Sequence, residues 1–265
     1  MLAHHLSAPV KSDTGNTVQM FDLTGKTALV TGAGQSVGAG IAAALAAQGC
    51  HVFVNDVVAE RAEHTAAAIR ASGALATAVP FDVTNAEAVQ AGVDTLEPID
   101  ILVNNAGNAG AHGFTPKQFV DMEPSEYARF VDVNLFGVMH CTRAVLAGMQ
   151  ARRWGRVITI ASGAGTVGNR MGISAYGAAK GGAIAFMRHV AIESARRGVT
   201  ANSLALGLMA NTDGGAFTEQ IAKTIPVGRL GTPADIGAAC VWLASNEGAW
   251  VTGQTITIDG GSNPS

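Results

Sequence analysis

A chain of 265 residues with 48% hydrophobic side chains, 14% charged side chains and 33 glycines has the length for one large α/β domain and the composition for an extensive core with many tight turns. Its formal net charge of -3 offers no electrostatic footprint for nucleic acid or an anionic membrane, and no apolar run approaches the ~18–20 residues of a membrane span. Cys50, Cys141 and Cys240 lie far apart with no Cys-x-x-Cys pair, so they read as buried thiols of a reducing compartment, with neither a disulfide frame nor a metal site expected.

The first twenty residues carry no apolar signal-peptide core and no basic opening; His4, His5, Pro9 and Gly15 mix there with hydroxyl residues. We read 1–20 as a flexible extension and Met20-Phe-Asp-Leu-Thr-Gly-Lys26 as the natural domain start. Residues 21–265 then form one domain containing both the cofactor and the substrate site. The missing targeting signals leave a cytoplasmic location as the expectation.

An apolar strand over 26–31 stops at Gly32-Ala-Gly34, a helix over 37–48 follows, and strand 51–56 closes a β-α-β unit of about 30 residues. Alternation continues with helix 60–72, strand 76–81, helix 85–96 and strand 101–104. A long helix follows Pro124. Strand 156–160, the helix carrying Tyr176 and Lys180, strand 200–204, helix 234–244 and strand 255–258 complete the chain. Repeated βα units predict an α/β fold of Rossmann type, a doubly wound parallel sheet with helices on both faces.

The first strand-to-helix turn reads Thr31-Gly-Ala-Gly-Gln-Ser-Val-Gly38. Glycines there let backbone approach a pyrophosphate, which the helix N-terminus attracts through its free N–H groups and dipole. Any tight βα turn also favours glycine. Asp56 ends the second strand, 24 residues after Gly32, where a carboxylate accepts hydrogen bonds from both ribose hydroxyls and repels a 2′-phosphate. No Lys or Arg stands between Thr31 and Gly40 or directly after Asp56. The pattern points to NAD, with NADP less favoured.

Tyr176 and Lys180 are four residues apart in an alanine-rich, helix-favouring stretch, one turn apart on one face. A cation beside a phenol lowers a pKa that ordinarily lies near ~10, towards the range useful for general acid–base work on an alcohol or ketone. A chance surface pair has the same spacing.

Taken with the rest of the chain, residues 20–262 resemble the short-chain dehydrogenase/reductase family, in its compact single-domain branch. The resemblance runs through the glycine turn, Asp82-Val83, Asn104-Asn-Ala-Gly107, Asn134 in Val-Asn-Leu-Phe-Gly, Ser162, Tyr176 with Lys180, Pro226-Val-Gly-Arg-Leu-Gly-Thr-Pro-Ala-Asp235, and Thr252-Gly-Gln with Asp259-Gly-Gly261. It implies a seven-stranded sheet in the order 3-2-1-4-5-6-7. It also implies a catalytic set of Asn134, Ser162, Tyr176 and Lys180. Tyr176 is the acid/base, Ser162 holds the substrate oxygen, Lys180 lowers the Tyr176 pKa and holds the nicotinamide ribose, and Asn134 anchors a water. Asn134 by itself reads equally as a helix-kink residue. The cofactor contacts implied are Gly32, Gln35, Ser36, Val37, Gly38, Asp56, Asp82, Val83, Asn104, Ala106, Gly107, Tyr176, Lys180, Gly207, Met209 and Asn211. Asn105 is read as a tie between neighbouring strands. Relatives are usually homotetramers built through the long fourth and fifth helices and the C-terminal strand, and a homotetramer is expected here.

Three positions depart from the family pattern. Ser36 stands where glycine is usual, Leu206-Gly207 replaces Pro-Gly, and Asn211, with Thr212 beside it, replaces the threonine that contacts the carboxamide. Three segments, 108–114, 163–173 and 207–217, are expected to wall the pocket, with Phe114, Val167, Met171, Leu208, Met209 and Phe217 making it apolar. Arg170 and His112 are candidates for polar contacts or simply solvated loop residues. A small-molecule secondary alcohol or its ketone is the expected substrate, with a lean to hydroxyacyl-CoA esters from the Asn55-Asp56 strand end. The alternatives are an NADPH-dependent 3-oxoacyl carrier-protein reductase and a non-catalytic NAD-binding sensor.

Overall fold

The computed structural model describes residues 20–107, 115–210 and 216–263, the side chains of 216–218 excepted. Seven parallel strands form one sheet: β1 Thr27–Val30, β2 His51–Val54, β3 Ala76–Ala78, β4 Ile101–Asn104, β5 Gly155–Ser162, β6 Val199–Leu206 and β7 Thr255–Ile258. Their order is β3-β2-β1-β4-β5-β6-β7, as expected from the family resemblance. The register is continuous across the centre, with Leu29 beside Phe53 and Leu102, and Val103 beside Ile158.

Both faces of the sheet are covered, which is why the central strands read as unbroken apolar runs rather than as alternating ones. Ala28, Val30, Ile101 and Val103 point to one layer, with Ile41 and Leu45 of α1 (Ser36–Ala47), Ile69 of α2 (Ala59–Ala71) and Ile236 of α8 (Pro233–Ala244). Leu29 and Leu102 point to the other. There they meet Val89 of α3 (Ala86–Asp94), Val145 of α5 (Gly137–Arg152) and Met187 of α6 (Ser174–Ser194). Each fully buried aliphatic side chain of this kind contributes about 1.5–3 kcal/mol by leaving water. The three cysteines are buried free thiols, pushed up by burial, Cys50 and Cys141 to about 12.

Helix starts follow local chemistry. Asn85 caps α3 by accepting the N–H groups of Glu87 and Ala88 at 3.0 Å. α4 (Pro124–Val131) and α8 each begin with proline after a capping box, Glu123 with Glu126 and Thr232 with Asp235. α7 (Ala216–Ala222) was not foreseen from periodicity. The long helix expected after Pro124 is interrupted by a π-helical turn over Asp132–Phe136. Within Pro124–Arg152 an 18-residue window reaches a mean hydropathy of 1.2, by length and composition enough for a membrane span, although charged residues interrupt the stretch. Here its apolar residues Val138, Cys141, Val145 and Met149 pack on the sheet.

Candidate active site

All the predicted site residues within the described chain lie on segments that leave the carboxyl ends of strands or on the helices beside them, where open α/β sheets bind ligands. At the end of β1, Gly32 has φ +59°, and a Cβ there would stand 2.8 Å from the Ala106 Cα. Gly38 is equally constrained, since a Cβ would collide with the Gly32 carbonyl and the Asn105 amide. The turn is locked to the end of β4. The Thr31 hydroxyl accepts the N–H groups of Asn105 and Ala106 at 3.0 and 3.1 Å, and the Asn105 amide donates to the Thr31 and Gly32 carbonyls at 2.9 Å. Asn105 is thus the interstrand tie that the sequence suggests. Thr31 was not singled out, although a hydroxyl residue between a strand and a glycine turn is a usable signal.

Gln35 precedes α1 as its N-cap, Ser36 and Val37 open the helix, and the Gln35 side chain makes no cap bond to its first N–H groups. Ser36 has φ +49°, in the left-handed region, which explains why glycine is usual at this position in the family. Asp56 is 6% exposed and closes the same corner, accepting the Gly34 N–H at 3.1 Å and the Val58 N–H at 3.0 Å. Asn55 donates to the Val79 and Phe81 carbonyls at 3.0 Å and so joins the ends of β2 and β3. No Lys or Arg directly follows Asp56 in sequence, and the nearest along the chain is Arg61. The first turn of α2 brings the Arg61 Cβ to 2.6 Å from where a Cβ on Gly34 would stand.

Asp82 is exposed and accepts from the Thr84 N–H and hydroxyl at 2.9 and 2.8 Å, while Val83 is buried against Gly137. Asn104 does not present its side chain to the corner. It is 2% exposed, its amide faces the Thr142 and Thr159 hydroxyls at 3.2 and 3.4 Å, and its Oδ1 has no partner among the described residues. Gly207 packs against Asp259, and Met209 bridges to Gly231. Asn211, Thr212, His112 and Phe114 lie outside the described residues, as do residues 1–19 and the side chain of Phe217.

The catalytic candidates converge at the ends of β4 and β5. Ser162 ends β5; its Oγ accepts the Ala164 N–H at 3.2 Å, and it is hydrogen-bonded to Tyr176. Lys180, one turn along α6, is 4% exposed and donates to the Ile160 carbonyl at 2.8 Å. A Cβ on Gly107 would lie 2.9 Å from the Lys180 Nζ and 3.0 Å from the Asn134 Oδ1, so these groups meet over one glycine. Asn134 sits in the π-helical turn, fully buried, and donates to the Phe130 carbonyl at 2.9 Å. Single π turns inside α-helices recur at functional sites. Asn134 therefore combines the helix-irregularity reading with a place in the cluster.

The electrostatics differ from the sequence expectation. Burial is the larger influence on Tyr176 and pushes its phenol above the ordinary value, while the Ser162 hydrogen bond acts in the opposite sense. Burial also pulls Lys180 down to about 8. Its ammonium is 5.9 Å from the Tyr176 ring centroid, turned to the Ile160 carbonyl. Phe130, which no motif in the sequence singled out, packs against the Tyr176 ring.

These residues fit a nicotinamide dinucleotide. The glycine turn has no room for side chains, the start of α1 has no side-chain cap, and Lys180, Asn134 and Gly107 form a second cradle at the ends of β4 and β5. Comparison with known proteins agrees. A family model described as enoyl-(acyl carrier protein) reductase matches residues 32–263. A 3-oxoacyl-[acyl-carrier-protein] reductase from Synechocystis is 39% identical, over 91% of this chain and 98% of its own. A gluconate 5-dehydrogenase from Burkholderia cenocepacia, solved with NADP and tartrate, superposes with a TM-score of 0.84 at 34% identity, over 91% of this chain and 96% of that one. A 3-oxoacyl-[acyl-carrier protein] reductase from Brucella melitensis, solved with NAD, gives 0.86 at 30%, over 92% and 94%.

Proposed function

Because the chain belongs to the short-chain dehydrogenase/reductase family, and is therefore an oxidoreductase of hydroxyl and keto groups, we propose that it is NAD-dependent and interconverts an apolar secondary alcohol and its ketone. The observation that carries this reading is the hydrogen-bonded pair of Ser162 and Tyr176 with the buried Lys180 ammonium 5.9 Å from the Tyr176 ring. When bound, the nicotinamide supplies the acceptor for the carbon-bound hydrogen, transferred as hydride. The protein handles the proton. In oxidation the Tyr176 Oη, as phenolate, takes the hydroxyl proton; in reduction the phenol returns it to the ketone oxygen. Ser162 orients that oxygen and stabilises charge developing on it. Lys180 places its ammonium 5.9 Å from the Tyr176 ring centroid, and Asn134 meets it over Gly107.

NAD is favoured by the Asp56 carboxylate at the glycine-turn corner, whose charge opposes a 2′-phosphate. Val167, Met171 and Leu208, exposed on the segments after β5 and β6, suit an apolar substrate, and hydroxyacyl-CoA esters are the first class to try. A second reading, an NADPH-dependent 3-oxoacyl carrier-protein reductase, draws on the approach of Arg61 to Gly34 and on the Synechocystis relative. Nicotinamide absorbance with NAD and NADP, against secondary alcohols and 3-hydroxyacyl-CoA esters, separates the two. Turnover with NAD that vanishes in Tyr176→Phe supports the first reading; turnover with NADP alone replaces it with the second. Tight NAD binding without turnover across the panel leaves a substrate outside the panel or a sensor.

We also propose a homotetramer. Phe119, Val120 and Phe136 are exposed beside or at the start of the long helices, Trp250 is 99% exposed shortly before β7, and β7 is one of the two edge strands of the sheet. Light scattering after gel filtration at micromolar concentration is expected to give four times the chain mass of 26.9 kDa; a monomer mass overturns this assignment.

A further inference from the structure

Tyr176 has few large neighbours on its own helix to hold its ring. Ala175, Gly177, Ala178 and Ala179 surround it in sequence. A phenol that must meet a substrate oxygen within a few tenths of an ångström needs its two side-chain torsions held by some other element. The structure supplies one such element. Of the residues of α4, only Phe130 is buried, and its ring lies edge-on to Tyr176, 6.4 Å between centroids at 72°. The carbonyl of the same residue accepts the Asn134 amide at 2.9 Å within the π-helical turn that follows. One residue thus touches two members of the site, by its ring and by its backbone.

The rest of α4 is placed to keep Phe130 where it is. Glu123 and Glu126 close a capping box around Pro124, and the Lys117 ammonium bonds Glu126 at 2.7 Å. The C-terminal end of the helix opens directly into the π turn, which leaves Phe130 at the junction between a clamped helix and an irregular one.

We propose that Phe130 is a positioning residue, setting the Tyr176 ring for proton transfer and tying it to Asn134. This rests on the reading of Tyr176 as the acid/base, so its test includes a signal that needs no turnover. The chain has two tyrosines, Tyr127 and Tyr176, so tyrosine labelled with carbon-13 at Cζ gives two resonances, assigned with Tyr176→Phe. Phe130→Leu keeps an apolar side chain in the buried position and removes the ring; Phe130→Ala removes both.

In Phe130→Leu the Tyr176 resonance is expected to shift or broaden. The melting temperature should fall by only a few degrees, since leucine keeps most of the buried apolar volume, and by more in Phe130→Ala. NAD dissociation should stay within about twofold, while kcat falls about 10- to 100-fold, the size expected of a misplaced catalytic group. In a Tyr176→Phe background the same change should have no further effect on kcat. An unmoved Tyr176 resonance in Phe130→Leu overturns the proposal, as does a kcat loss that only tracks lost stability across the Leu and Ala variants. If the wild-type protein turns over nothing, the reaction reading fails on its own, and the resonance still decides whether Phe130 holds the ring.

Discussion

The glycine-turn corner and the catalytic corner stand on the same sheet edge, and they are built on opposite principles. In the first, Thr31, Asn55, Asp56 and Asn105 bond backbone groups at 2.9 to 3.1 Å, tying β1 to β4 and β2 to β3. In the second, Lys180 is buried as a cation against one carbonyl, the Tyr176 phenol is pushed up by desolvation, and the Oδ1 of nearby Asn104 has no partner among the described residues. One corner is scaffold, stable as it folds, and the other holds buried polar groups at a cost to stability, which suits the proposed reactivity.

Substitutions at the two corners should therefore differ in kind. The largest effect is expected from Tyr176→Phe, which removes the proposed acid/base and should lower kcat about 10²- to 10⁴-fold with NAD binding retained. Loss of binding in step with activity would place Tyr176 in the scaffold instead. Next comes Gly38→Ala. Its Cβ meets the Gly32 carbonyl and the Asn105 amide, so about 1–3 kcal/mol of stability should be lost together with NAD affinity, read by urea unfolding and by fluorescence titration.

Lys180→Met should do the reverse, abolishing turnover while raising stability at pH 7. The ordinary pKa of 10.5 for the unfolded chain exceeds the folded value of about 8. Between these two pH values the unfolded chain keeps a proton that the native state has released, so wild-type stability rises with pH through that window. Below it the native protein carries the full cost of the buried cation, about 3 kcal/mol from the shift, offset by about 1 kcal/mol for the hydrogen bond to Ile160. The variant should accordingly melt higher at pH 7, with the gap closing from pH 8 to 10.5. A variant less stable at pH 7 would show that the catalytic corner is scaffold too. The smallest effect is expected of Ser36→Gly. Relief of the left-handed backbone is worth roughly 1–2 kcal/mol, and the greater freedom of glycine in the unfolded chain returns roughly 0.4–1, so the net gain should lie between about 0 and about 1.6 kcal/mol. A clear loss of stability would mean that the Ser36 hydroxyl is bonded into the turn.

The two corners were also unequally legible. The seven strands and the glycine turn could be read because buried parallel strands and phosphate-binding turns impose residue types locally: apolar runs at 27–30 and 101–104, and glycine at 32 and 38. The Tyr176–Lys180 spacing could be read because helix geometry fixes i to i+4. What was missed depends on contacts between distant segments. Arg61 reaches Gly34 only through the direction in which α2 leaves β2, and Phe130 meets Tyr176 only because α4 packs against α6. The π turn at Asp132–Phe136 has no compositional signature, since its residues are compatible with an ordinary helix.

By itself, then, the order of residues determined the α/β alternation, the strand ends that carry Asp56, Asn105 and Ser162, and the pairing of Tyr176 with Lys180. These follow from periodicity and from the stereochemistry of single turns. Only the tertiary structure decided the sense of the Tyr176 shift, the turning of Asn104 away from the site and the support of the phenol by Phe130. Those depend on burial and on packing between helices, and a polar group's free energy is set by what surrounds it in space rather than by its neighbours along the chain.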